Sequence, residues 1–190
     1  MELKDFKIKQ MNKIILFGNT RNNIRYKENE KMPFIGIISE ETTENCIRRE
    51  ILDKLQLRES NVLFIKEKSI ENIKNIKFET IIIARKFYEI KHLKKLLENT
   101  NYLIVNSDIE NNLNLLENMK TTVITYGFNS KSTITASSVG EEEILLCIQR
   151  MLKDKNGKEI ELQEVKIPIN EDASCTMAVA SLLLLYGKII

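Results

Sequence analysis

Two polar pairs at the ends of apolar runs are the first residues to weigh for chemistry. Asn106 and Asp108 follow the apolar segment Tyr102-Leu-Ile-Val, and Thr42 and Thr43 follow Pro33-Phe-Ile-Gly-Ile-Ile38. Loops at strand ends are where α/β folds bind ligands, so Asn106 and Asp108 are candidate ligand contacts. The same two residues also suit a strand-terminating Asn and a helix-capping Asp, and both readings stand. Thr42 or Thr43 is a plausible N-cap of the helix that follows. Tyr126-Gly127 reads as a packed ring beside a glycine needing close approach or positive φ.

Other chemistry-bearing residues lack partners. Ser137, Ser138, Ser174 and Cys175 show no base in pattern with them, and nucleophilic catalysis needs one. His92, the single histidine, lies in the charged run Lys91-His-Leu-Lys-Lys95, and no catalytic residue is assigned. Glu141-Glu-Glu143, Arg48-Arg49 and Lys94-Lys95 read as solvated charge runs. Cys46, Cys147 and Cys175 are far apart and odd in number, form no metal-type pair, and read as reduced structural cysteines; no metal site is expected.

The elements that must position these residues follow from periodicity. Strands are expected at Lys13–Gly18, Pro33–Ile38, Asn61–Ile65, Glu79–Ala84, Tyr102–Asn106 and Val123–Tyr126. Residues 1–12 read as a loose N-terminal segment and 19–32 as loop. Between strands, helices carry Ile47, Ile51, Leu52 and Leu55; Ile70 and Ile73 after a Ser69 cap; Ile90, Leu93, Leu96 and Leu97; and Leu113, Leu116 and Met119. Such alternation specifies an α/β fold, a doubly wound and mainly parallel sheet.

After Gly127 the rhythm changes. Ser132–Val139, Glu143–Leu152 and Glu159–Ile169 read as strands of a small antiparallel segment, the last two joined by a turn at Lys155-Asn-Gly-Lys158. Asp172–Gly187 is an apolar helix capped by Asp172 or Asn170 and ended by Gly187.

Composition sets outer bounds. The 190 residues fit a single domain over 1–190, with 43% apolar and 29% charged residues. Twenty-nine basic against 27 acidic residues leave a net charge of +2, which favours neither nucleic acid nor membrane. The apolar run Ala178–Gly187 is short of the roughly 20 residues a membrane span needs. The N-terminus is too charged for a signal peptide, so a cytoplasmic protein is expected.

The segment from Tyr102 to Gly187 resembles the central domain of the Mur ligase family, the ATP-dependent ligases that add amino acids to peptidoglycan precursors. The likeness is carried in order by Val105-Asn-Ser-Asp-Ile109, by the Tyr126-Gly127 strand end, by the alternating strand Ser132–Val139, by Val165-Lys-Ile-Pro-Ile169 and by the helix Met177–Gly187. Upstream, Phe34-Ile-Gly-Ile-Ile-Ser-Glu-Glu-Thr-Thr-Glu-Asn45 occupies the place of the family's phosphate-binding loop. That loop needs converging glycine amides and a lysine. Here it holds Ser39, Glu40 and Glu41, whose carboxylates repel a triphosphate, while Thr42 and Thr43 match the family's threonine pair.

The departures continue. The interval between Ala84 and Tyr102 has room for one helix, without the family's metal-site segment. Glu171-Asp172 replaces its His-Asn pair, and the flanking domains have no counterpart. The resemblance thus implies a stand-alone, degenerate relative: a non-catalytic protein with a binding or regulatory role linked to cell-wall precursor synthesis, without ATP or magnesium. Its expected partner is another protein or a second copy, with the apolar stretch Leu182–Ile190 as interface. The alternatives are a ligase or ATPase subunit completed by a partner chain, and an unrelated α/β binding module.

Overall fold

The computed structural model describes residues 33–190 apart from 74, 88, 89, 111, 117, 118, 170, 189 and 190. The strand expected at Lys13–Gly18, the loose segment 1–12, the loop 19–32 and the alternative cap Asn170 lie outside the described residues, as does the side chain of His92.

Six isoleucines in two short runs show why a buried parallel sheet forms. β1 (Ile35–Ile38) and β3 (Thr80–Ile83) are buried at every position, which suits β-branched residues covered on both faces. β2 (Val62–Phe64) pairs with the other side of β1, and β4 (Tyr102–Asn106) and β5 (Thr122–Tyr126) extend the parallel ladder beyond β3. β6 (Ile134–Val139) joins β5 in parallel through Tyr126 and Ile134. β7 (Glu143–Ile148) and β10 (Gln163–Pro168) then continue the same sheet antiparallel. The complete order is β10-β7-β6-β5-β4-β3-β1-β2. The chain is therefore α/β with an eight-stranded, mainly parallel sheet.

Helices cover both faces. α1 (Glu41–Leu55) and α4 (Ala173–Leu185) pack with Ile35, Ile37, Ile104, Ile124 and Tyr126 on one face. On the other, α2 (Ile70–Ile73) and α3 (Ile90–Glu98) cover Ile38, Ile81, Ile83, Leu103 and Val105. Each fully buried isoleucine or leucine contributes about 1.5–3 kcal/mol. Among the described residues no helix is long and apolar enough to cross a membrane.

Several local expectations are corrected. α1 starts two or three residues earlier than a Thr42 or Thr43 cap requires: Glu40 is its N-cap, in extended conformation and without a side-chain cap bond. Ser69 ends a 3-10 turn (Glu67–Ser69) that runs directly into α2. The expected helix through Leu113 and Leu116 is a single 3-10 turn, Leu113–Leu116, so Asp108 is not the cap of a following helix. The strand expected to run through Leu152 breaks after Ile148. A separate ribbon of β8 (Leu152–Lys153) and β9 (Glu159–Ile160) carries the Asn156-Gly157 turn.

Asp154 explains that break. It is buried, and its Oδ1 accepts from the amides of Asn156 (2.8 Å) and Lys158 (2.9 Å), which fastens the turn independently of the main sheet. Within the stretch Leu182–Ile190 expected to form an interface, Leu182–Leu185 belong to the chain's own core with 0–7% exposure. Four consecutive helical residues sweep nearly a whole turn, and they are buried among the sheet, α1 and neighbouring segments of the same chain.

The cysteine expectation is also overturned. Cys46 of α1 and Cys175 of α4 form a disulfide across 129 residues of sequence. Both are 1% exposed. Their distance along the chain concealed the pair, which the packing of α1 beside α4 creates. Cys147 is free.

Candidate functional site

Strand order places the candidate site. β2 and β3 lie on opposite sides of β1, so the chain reverses direction across the sheet at β1/β3, the position at which open α/β sheets form a ligand crevice. Ser39 and Glu40 leave β1 there, and Ala84 and Arg85 leave β3.

Arg85 organises this crevice. Its guanidinium lies 3.7 Å from Glu40 and 3.8 Å from Glu67, and it stacks 5.9 Å from the centre of the Phe87 ring. The N-terminus of α1 is the positive end of its macrodipole, and first-turn Glu41 and Glu44 answer that charge. Burial holds the Glu44 carboxyl above its usual range, with Glu41 adding to it while Lys66, Arg48 and Arg85 oppose it. Thr42 is exposed and Thr43 half-buried within the first turn of α1. Two polar atoms at this edge, Ser39 Oγ and Arg85 Nε, are buried without a hydrogen-bond partner. Ser39 enters the sequence reading only as part of the loop that departs from a phosphate cradle, and Arg85 does not enter it at all, because a lone Arg carries no spacing signal.

Asn106 and Asp108 form a second cluster at the end of β4. Asn106 pairs in register with Tyr126, so both side chains point to the α4 face. Asn106 Oδ1 accepts from the Asp108 amide at 2.9 Å, and its Nδ2 donates to Ser174 Oγ at 3.3 Å. Asp108 turns toward the loop after β5. Its carboxylate accepts from the amides of Phe128 (2.7 Å) and Asn129 (3.1 Å) and from Asn129 Nδ2 (2.9 Å). Ser107 Oγ meets Ser132 Oγ at 2.6 Å and donates to the Tyr126 carbonyl at 3.1 Å.

Gly127 is required within that cluster. Its φ is +152°, and a Cβ there would lie 2.7 Å from the Asp108 carboxylate. The close approach read for Tyr126-Gly127 is thus an approach to Asp108. The Tyr126 hydroxyl is buried with no hydrogen-bond partner. Burial pushes it above the usual tyrosine range, against the opposing influence of the neighbouring Ser174 and Asn106 groups.

Of the four candidate ligand contacts, Thr42 and Thr43 share the first turn of α1, and Asn106 and Asp108 share the β4 end. The polar atoms of Asn106 and Asp108 are already engaged in fastening the β4 and β5 loops to each other and to α4. Chemically the edge offers carboxylates, the Arg85 guanidinium with Arg48 and Lys66 nearby, and hydroxyls. Ser174 Oγ accepts from an amide, with no imidazole or amine beside it among the described contacts. No family model matches the chain, and no curated protein matches it.

Proposed function

We propose that this chain is a non-catalytic binding or regulatory protein built on a Mur ligase central-domain-like fold and linked to cell-wall precursor synthesis. The observation that carries this reading is the arrangement around Arg85. Where a nucleotide-binding relative presents glycine amides and a lysine, this crevice holds Glu40 at the helix N-cap and pairs Arg85 with Glu40 and Glu67. Carboxylates at the entrance to α1 raise the electrostatic cost of a triphosphate and of the charge that develops when it is cleaved.

Three features support the reading. The antiparallel arm β6-β7-β10 follows Gly127 as the resemblance requires, which favours it over an unrelated α/β module. Among the described residues α3 is the one helix between β3 and β4. The orphaned Ser39 Oγ and Arg85 Nε leave hydrogen-bonding capacity at the crevice that a bound partner group would satisfy, in keeping with a binding role. The proposed setting is the cytoplasm and the proposed partner a protein or a second copy of the chain.

Phosphate release from ATP with magnesium tests the catalytic side. The purified chain is expected to give a rate indistinguishable from buffer. Turnover that scales with enzyme and disappears in Arg85→Ala would overturn the proposal in favour of a ligase or ATPase subunit.

A further inference from the structure

Two sulfurs and a carboxylate converge where α1 meets α4. One ligand atom each from Cys46, Cys175 and Asp172 lies within 4.8 Å of the others. Asp172 is the N-cap of α4, and its Oδ1 accepts from the Cys175 amide at 2.7 Å. That bond fixes the carboxylate beside the sulfur of Cys175, as an orienting hydrogen bond fixes a metal ligand.

We propose that Cys46, Cys175 and Asp172 form a redox-gated site for a borderline-soft divalent ion of the zinc class. Oxidised, the pair is the disulfide seen here and holds no ion. Reduced, the two thiolates and the carboxylate supply three ligands, and a fourth position is left for water or another donor.

The backbone spacing suits both states. Cα–Cα is 6.6 Å, near the upper end of the 4.4–6.8 Å that disulfides span. Two thiolates on one tetrahedral ion stand roughly 3.8 Å apart, given metal–sulfur bonds of about 2.3 Å, so the wide spacing admits the opened pair without moving the helices. Donor chemistry sets the ion: thiolates select zinc-class ions over magnesium or calcium. Both sulfurs are buried, which protects thiolate–metal bonds from water. Glu171, the neighbouring carboxylate, is committed to Arg49 at 2.8 Å. Cys175 also lines a small cavity with Glu50, Lys54, Thr176 and Val179, an approach for a reductant or an ion.

The steps balance. A dithiol reduces the disulfide, passing two electrons and two protons to give two thiols and its own disulfide. The ion then displaces both thiol protons to solvent, so uptake weakens as pH falls. A reducing cytoplasm favours the metal-binding state.

The experiment is cobalt(II) titration of the full chain, oxidised or reduced with a phosphine that is removed before metal is added. Reduced protein is expected to take up one cobalt per chain with thiolate-to-metal charge-transfer absorption, displaced by zinc, and oxidised protein none. Cys46→Ser and Cys175→Ser should abolish the absorption and Cys147→Ser should retain it. Asp172→Asn, which keeps the acceptor for the Cys175 amide, should weaken affinity roughly tenfold or more.

Should a serine variant lose its circular-dichroism signature, metal protection of Cys46 and Cys175 from alkylation in the reduced wild type is the deciding measurement. A reduced protein without the charge-transfer band overturns the proposal. So does a pair that stays oxidised after phosphine treatment, with Cys147 as the sole free thiol, or alkylation unaffected by metal.

Discussion

Asp108 shows how a residue chosen for chemistry can be consumed by architecture. Its carboxylate accepts three hydrogen bonds from the 128–129 loop, so Asp108→Ala is expected to cost about 2 kcal/mol, the exposed setting reducing what charged bonds give when buried. Urea unfolding monitors this directly. Tyr126 behaves oppositely: its hydroxyl is buried without a partner, so Tyr126→Phe should be neutral or stabilising by about 1 kcal/mol. The folded state raises the pKa of this hydroxyl, so the wild type keeps its proton where the unfolded chain has lost it. The associated stability is complete below about pH 10 and declines as pH rises beyond it, by up to about 1.4 kcal/mol per pH unit for one tyrosine. The phenylalanine variant should show a shallower alkaline decline in chemical denaturation.

Among the elements, two glycines separate backbone strain from collision. Gly157 has φ +84° with nothing within 4 Å of an added Cβ, whereas Gly127 has both positive φ and the Asp108 carboxylate in the way. Gly157→Ala should cost about 1 kcal/mol and Gly127→Ala about 3 kcal/mol or more, read as a difference in unfolding midpoint at constant m-value. The buried strands were legible because isoleucine runs bounded by polar residues leave few alternatives. The strand read over Glu143–Leu152 held as far as Ile148, since β7 pairs on both sides. The segment after Asp108 misled: Leu113 and Leu116 are three apart, a spacing that a single 3-10 turn satisfies as well as a helix does. The start of α1 was displaced because Glu40 caps by backbone conformation alone, which side-chain preference does not register. The Arg85 crevice and the Cys46–Cys175 pair were hidden for a common reason. Each joins residues from different strands or helices, and one-dimensional spacing records neither.

At the scale of the whole molecule, the disulfide joins two helices that cover one face of the sheet and closes a 129-residue span. Restricting the unfolded chain in this way is expected to stabilise the oxidised protein by about 2–4 kcal/mol over the reduced, alkylated and metal-free protein. Comparative thermal unfolding of the two forms checks this, and equal midpoints would assign the bond no stabilising role. The sheet has a switch-point topology of the kind that binds ligands, and the proposed function holds that the carboxylates at its edge exclude a triphosphate. Isothermal titration of the full chain with ATP and magnesium, beside the Glu40→Gly, Glu41→Gly double variant, tests it most directly. The account predicts no saturable heat for the wild type, and any binding gained by the double variant would trace the block to those carboxylates. Saturable micromolar binding by the wild type would contradict the account and point to a nucleotide site completed by another chain.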